Sequence, residues 1–400
     1  MWIIIVQFYF IETEHKYTKS AEFIVPDYYK DFSCKCSSCR SICCQGWGIS
    51  VSYEEYNRLI GLPCSKKLRA RLDRAFVICD HPYQERYALV APDSDGRCPL
   101  LMANGYCMLH ADRGPCSLPK ICKLYPRAIR KGYIPECVCS CSCEKVVELL
   151  ISSTAPLTFS SEQITIDPSD IPTCSYVLEG YKRDILYHCI GIMEDRSLKI
   201  KDRIIEIGKY ITDKTGVQLE MYPDIFCFSS FSYSFIYAIK LISILGNVSR
   251  ELKAYGFMCL KYLGVNTDKL DEYTIPDQTE LEYASHKYTE ALSHLETVLP
   301  DYPLYFEKIL VNHMFYENFP FSDPKESPAN TFVSFCAVYS LIKLTTACYM
   351  NDKSEKDDFT DSVSGIMHFI EHTSFYMNAE VIFRSFCVSS KVLINSLSDI

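Results

Sequence analysis

The stretch Cys39–Ser50 reads CRSICCQGWGIS: a cysteine, then a vicinal pair at Cys43 and Cys44, then Gly-Trp-Gly around Trp47. Cys34 and Cys36 precede it, and Cys98 in GRCPLL, Cys107 in GYCMLH, Cys122 in KICKLYPR and the run ECVCSCSCEK follow it. Fifteen of the chain's 22 cysteines lie between Cys34 and Cys143, which is local chemistry rather than average composition. Thiolates gathered from several segments can surround one soft metal centre, zinc or iron–sulfur, and about four ligands suffice for either. Vicinal cysteines rarely bridge each other, so Cys43 and Cys44 are expected in different surroundings. No pair of C-x2-C knuckles is separated by a finger-length loop, which weakens a zinc-finger reading. The radical S-adenosylmethionine spacing C-x3-C-x2-C fails too, because position 46 is Gly. Zinc and iron–sulfur both stay open at this point.

The elements that must hold these thiols divide unevenly. Residues 24–150 are rich in Cys, Pro, Gly and Arg with few long periodic stretches, and read as short helices and loops around a metal. Ser152 to Pro172 is polar and carries three prolines, and reads as a connection. Beyond it the pattern turns helical: Ile185, Leu186, Cys189, Ile190 and Met193 share a face, as do Ile204, Ile207 and Ile211, with Ser197 as a candidate cap. Further helices are expected over Phe226–Leu245, Glu280–Leu299, Tyr305–Glu317, Thr331–Tyr349 and Asp361–Phe386. The fold class expected is mainly α: a cysteine-rich metal-binding domain (24–150), preceded by an extension (1–23), packed on an all-α domain (151–400). Cys64, Cys79 and the seven cysteines beyond Leu150 read as small buried apolar residues.

Composition narrows the class. With 48% hydrophobic and 23% charged residues the chain reads as a folded soluble protein. A net charge of -9 without Lys/Arg clusters argues against a nucleic-acid partner. The apolar start MWIIIVQFYF and the run Thr331–Ile342 are too short to span a bilayer, so no membrane is expected. The start also lacks a basic region and a cleavage site, which points to the cytoplasm, where thiols stay reduced and a disulfide scaffold is disfavoured.

The runs VPDYYKDFSCKCSSCRSICCQGWGI, GRCPLL, YCMLH, ICKLYPR, SCSCEKVVELL, YKRDIL, EDRSLKIKDRI, ILVNHMFYENFPF and IMHFIEH, in that order, resemble flagellin lysine-N-methylases. The N-terminal part of that family is similar to zinc- or iron-chelating cysteine-cluster domains. The resemblance places the family's metal-binding cysteines on Cys34, Cys39, Cys43, Cys44, Cys98, Cys107, Cys122 and Cys143, eight candidates for about four ligands. Cys36, Cys137, Cys139 and Cys141 are additional, and Glu144 stands where the family has a proline after its last cysteine. The resemblance further implies methyl transfer from S-adenosylmethionine to flagellin lysines, with a [4Fe-4S] cluster, or else zinc, as the metal centre.

Such a transfer needs a neutral amine aligned behind the sulfonium methyl, although lysine titrates near 10.4 in water. Trp47 and Tyr125, beside candidate ligands, are the aromatic candidates for the sulfonium, and Arg127 and Arg97 for the cofactor's carboxylate. His110 is a base, a ligand or a structural residue, and no catalytic base is assigned. There is no Rossmann glycine turn, no G-x-S-x-G elbow, no P-loop and no H-E-x-x-H. The alternative is a non-enzymatic metal-binding module whose helical domain docks a partner.

Overall fold

The computed structural model describes residues 19–383 and 385, apart from 41–42, 46–47, 132–133, 168–169, 172–175, 177, 179, 218–230, 247–249, 272–273 and 384. Trp47, the apolar start, Cys174, Cys227 and Cys387 therefore lie outside the described residues. Two hydrophobic cores organise the rest.

The smaller core joins Ile49, Val51, Leu59, Leu68, Leu72, Phe76, Val90, Leu100 and Leu109. Its sheet has the order β2 (Ser50–Val51), β4 (Arg86–Val90), β3 (Phe76–Tyr83). Two short helices cover it. In α1 (Tyr53–Ile60), Ser52 and Glu55 form a reciprocal cap, and in α2 (Lys66–Leu72) Ser65 accepts from Leu68 N–H. Two one-turn helices, α3 (Met108–Arg113) and α4 (Lys120–Leu124), complete this lobe.

A second sheet carries the larger core. Its order is β5 (Arg127–Arg130), β6 (Glu136–Cys139), β1 (Lys19–Pro26), β7 (Phe159–Ile166). β1 runs antiparallel to β7 in unbroken register from Lys19↔Ile166 to Pro26↔Phe159, and parallel to β6. The segment expected to be a connection is thus partly a strand: its Pro residues flank Phe159–Ile166, where alternation admits pairing. Sheet in the N-terminal part is the chief departure from the expected short helices and loops. Helix α5 (Glu144–Ile151) follows β6 directly.

The remaining chain is helical, as expected: α6 (Tyr181–Met193), α7 (Ile200–Thr215), α8 (Phe231–Leu245), α9 (Arg250–Tyr262), α10 (Gln278–Val298), α11 (Tyr302–Tyr316), α12 (Pro328–Tyr349) and α13 (Lys356–His372). α9 was not read from the sequence, and the expected Asp361–Phe386 helix breaks after His372 before helix resumes over 375–383. Ser197 does not cap α7; Lys199 holds that position and Ser197 bonds Asp195 instead. α12 is apolar all round and touches α7, α8, α9, α10 and α13. It is long and apolar enough to cross a bilayer, and most of it is enclosed by the protein, the pattern of a central core helix. Cys189, Cys259, Cys336 and Cys348 are buried apolar residues, as expected.

Buried charges cross-link the layers. Glu136 of β6 pairs with Arg130 at 2.9 Å and Arg183 at 2.7 Å. Glu307 of α11, fully buried, takes Arg203 at 2.7 Å and Arg196 at 2.7 Å. Removing one partner of a buried pair leaves an uncompensated charge. Glu307→Gln is therefore expected to lower unfolding free energy in urea by roughly 3 kcal/mol. Arg196→Ala, at the wetter end of the pair, should cost under about 1 kcal/mol. Equal losses in the two variants would show that Arg203 does not depend on Glu307.

Candidate functional site

Each candidate cysteine is placed by a turn or a helix start. Cys34 and Cys36 lie on either side of Lys35 after β1; Cys36 adopts a left-handed backbone (φ 53°) and its N–H donates to Cys34 Sγ at 3.3 Å. The vicinal pair is pinned to GRCPLL: Cys98 N–H donates to Cys44 O at 2.8 Å, and Gln45 bridges to Arg97. Cys107 and Cys143 occupy the residue before the first turns of α3 and α5. Backbone N–H groups there reach the sulfurs, from Leu109 and His110 to Cys107 and from Lys145 and Val146 to Cys143; Leu100 and Leu101 do the same for Cys98. Such donors favour a thiolate.

The eight cysteines expected from the family pattern surround two adjoining cavities. A cleft of about 740 Å³ is lined by Cys34, Cys39, Cys43, Cys122 and Cys143. A cavity of about 230 Å³ beside it takes Cys34, Cys39, Cys43, Cys44, Cys98, Cys107 and Cys122, with Cys36 added. Cys44 lines only the smaller cavity whereas Cys43 lines both, so the neighbours do differ in surroundings. Cys137, Cys139 and Cys141 are fully buried and line neither; Asn312 Nδ2–H donates to Cys141 Sγ at 3.2 Å. No described cysteine is in a disulfide. Among the described residues no three His, Cys, Asp or Glu side chains are arranged around one ion position. Burial pushes the thiols of Cys39 and Cys143 up to about 12, and those of Cys122 and, through its bond with Cys44, Cys43 higher still. All four are protonated near neutrality, so a metal binding here must displace protons.

Of the other sequence candidates, Tyr125 lines both cavities, and its hydroxyl is 3.1 Å from Ser142 Oγ. Arg97 lines the cleft and is exposed. Arg127 lines the smaller cavity, where its guanidinium lies 4.6 Å from the Phe32 ring centre. His110 lines the smaller cavity as well. Residues not anticipated form the opposite wall of the cleft: Tyr255 of α9, and Ser364, Gly365 and His368 of α13. Gly365 is needed there, because a Cβ would stand 2.2 Å from the Tyr255 ring. The only sequence trace of this wall was IMHFIEH, whose His368 and His372 are one helical turn apart.

Ion pairs of Lys35 and Arg40 run along the cleft's lining. Lys35 bonds Glu144 at 2.6 Å and Glu148 at 2.7 Å of α5, while Arg40 reaches Asp357 and Asp361 of α13, both at 2.8 Å. The cysteine segment is thereby tied to the helical domain. Arg40 is about one-third exposed (33%), so its pairs contribute little to global stability. Arg40→Ala is expected to lower stability by under about 1 kcal/mol yet to speed amide hydrogen exchange over residues 34–44 at least about tenfold. Unchanged exchange there would mean the segment is held by other contacts.

No curated protein and no solved structure gives a significant match to the chain. Residues 187–384, about half of the sequence and the source of the helical wall of the cleft, match the FliB lysine N-methylase C-terminal domain.

Proposed function

We propose that this protein transfers methyl groups from S-adenosylmethionine to lysine ε-amines of flagellin, in the cytoplasm and before export. One observation carries the reading: the helices matching the lysine N-methylase domain form one wall of a cleft whose other wall is the cysteine array. At about 740 Å³ the cleft has the size of small-molecule sites. Tyr125 and Tyr255 offer ring faces to a sulfonium, and Arg97 offers a fork to an amino-acid carboxylate. Arg127, already stacked on Phe32, serves the cysteine cavity rather than the cofactor.

The donor set suits the metal that the family implies. Its side chains are all thiols, three of them with backbone N–H groups directed at sulfur, which is the chemistry of iron–sulfur or zinc ligation. We assign a [4Fe-4S] cluster to four of the eight cysteines, with zinc as the alternative metal. Bound there, the cluster supplies a cross-link whose binding energy is folding energy for this small-cored lobe. The chain's own residues bind the methyl donor, orient the lysine and exclude water.

Two measurements test the reading. Anaerobically purified protein incubated with labelled S-adenosylmethionine and flagellin should yield methyl-lysine; no incorporation overturns the enzyme assignment and leaves the non-enzymatic metal module. The same preparation should be brown with about four iron atoms per chain. Cys43→Ser and Cys122→Ser should lose that metal, while Cys348→Ser, buried in α12 against Cys259, keeps it. Colourless protein with stoichiometric zinc would replace the iron assignment.

A further inference from the structure

Helices α6 and α7 form a hairpin whose inner side is spent on the core: Ile185, Leu186 and Met193 of α6 and Ile204, Ile207 and Ile211 of α7 are buried, with α11 behind α6 and α12 behind α7. The outer side is not flat. A groove of about 910 Å³ runs between the two helices and shares no lining residue with the cleft or the cysteine cavity. Its floor is apolar and aromatic, from Tyr187, Ile192 and Leu198 to His188, which stacks on Tyr210 with ring centres 4.0 Å apart. Four carboxylates line it, Asp195, Asp202, Glu206 and Asp213, against the ammonium of Lys209. Asp202 and Glu206 are one helical turn apart, where like charges destabilise a helix. Their neighbours leave much of that charge unspent. Lys209 takes Glu206 at 2.7 Å and Lys214 takes Asp213 at 2.9 Å, but both pairs are exposed and therefore weak. The half-buried Asp202 carboxylate has no hydrogen-bond or ion-pair partner among the described residues. Lys214 Nζ also stands 5.7 Å from the centre of the Tyr210 ring, so an ammonium of the chain itself already sits over an aromatic ring of the groove.

We propose that this groove docks a lysine-bearing segment of a protein partner, with the aliphatic stems on the aromatic floor and the ammonium groups on Asp202, Glu206 and Asp213. Lysine suits both halves of the lining, since its stem is apolar and its head is a cation. The dimensions agree. Lysines at alternate positions of an extended chain recur about every 6.6 Å, close to the roughly 6 Å along α7 between Asp202 and Glu206. A bound metal ion fits less well, because among the described residues no three carboxylates converge on one ion position. A nucleic acid would meet repulsion from the same carboxylates. The inference goes beyond the methylase reading and needs no methyl transfer to hold. Where that reading holds, the groove is a second grip on the protein substrate, apart from the cleft.

The test is fluorescence anisotropy of two labelled peptides, one alternating lysine with alanine and one alternating glutamate with alanine, titrated with the full chain at low and at physiological salt. The lysine peptide should bind and weaken as salt rises, and the glutamate peptide should not bind. Asp202→Asn combined with Glu206→Gln should weaken the lysine peptide about tenfold, whereas Lys209→Gln, which removes the groove's own ammonium, should tighten it about threefold, both at an unchanged thermal midpoint. No binding by the wild type, or equal binding by all three chains, overturns the proposal. So does a wild-type dimer that the double variant dissociates, which gives the face to a second copy of the chain. In turnover with flagellin and labelled S-adenosylmethionine, the double variant should raise the KM for flagellin and leave kcat as it is; an unchanged KM overturns the groove as a grip on that substrate. A chain that binds the lysine peptide but transfers no methyl group overturns the methylase reading and leaves the groove standing.

Discussion

The structure depends on how the turn Ser140–Cys143 is docked. Its backbone leaves β6 and enters α5, and Asn312 of α11 grips it there, donating to Cys139 O at 2.9 Å and to Cys141 Sγ at 3.2 Å. Tyr28 donates to Asn312 Oδ1 at 2.6 Å and accepts from Cys139 N–H, so the first and last parts of the chain close on one buried point. Ser140 N–H in turn donates to Pro126 O, which sets where Tyr125 emerges. Successive residues of the turn serve opposite sides: Cys141 fills the core, while Ser142 and Cys143 face the cleft. Without this docking the cysteine lobe and the helices would have no common wall.

Much of the helical part was readable because apolar residues recur at helical spacing over ten or more positions, as in Ile204, Ile207 and Ile211. The sheet was not, since β5 and β6 have four residues each and β1 pairs with β7 across some 140 residues. Alternation in such short pieces is indistinguishable from loop, and pairing partners are a tertiary fact. The cysteines stood out in the sequence through their density, and the structure lines two adjoining cavities with the eight of them without arranging any three around one ion position among the described residues. Which sulfur faces which cavity was not readable, because it depends on the bond from Cys98 to Cys44 and on the helix starts at Cys107 and Cys143. Ser142, Glu371 and His372 fall within the runs SCSCEKVVELL and IMHFIEH, yet nothing in their types singles them out until α13 is laid against the β6–α5 turn.

Charge around the thiols is arranged so that they stay neutral by themselves. Lys35 and Arg40, which line the cleft with Cys34 and Cys39, are already committed to Glu144, Glu148, Asp357 and Asp361. For Cys39 the first influence is burial and the next is the carboxylate of Glu144, and both oppose ionisation. At Cys98, Cys107 and Cys143 backbone N–H groups pull the other way, joined at Cys98 by the charge of Arg71, and burial outweighs them. The array is therefore poorly set to act as free nucleophilic thiolates, which need a nearby uncommitted cation.

The two walls of the cleft answer to different forces. The cysteine wall is held at its edge by Arg40 and Lys35, partly exposed pairs that break and reform at little cost. The opposite wall is held by close packing: α9 and α13 cross so tightly at Gly365 that Tyr255 occupies the space of a side chain, with Tyr349 5.5 Å behind it. Packing of that kind has few alternative arrangements. The wall that can give is therefore the cysteine wall, while His368 on α13 is held by the packing behind it. Side chains of α13 that line the cleft therefore keep their places whichever way the cysteine wall moves.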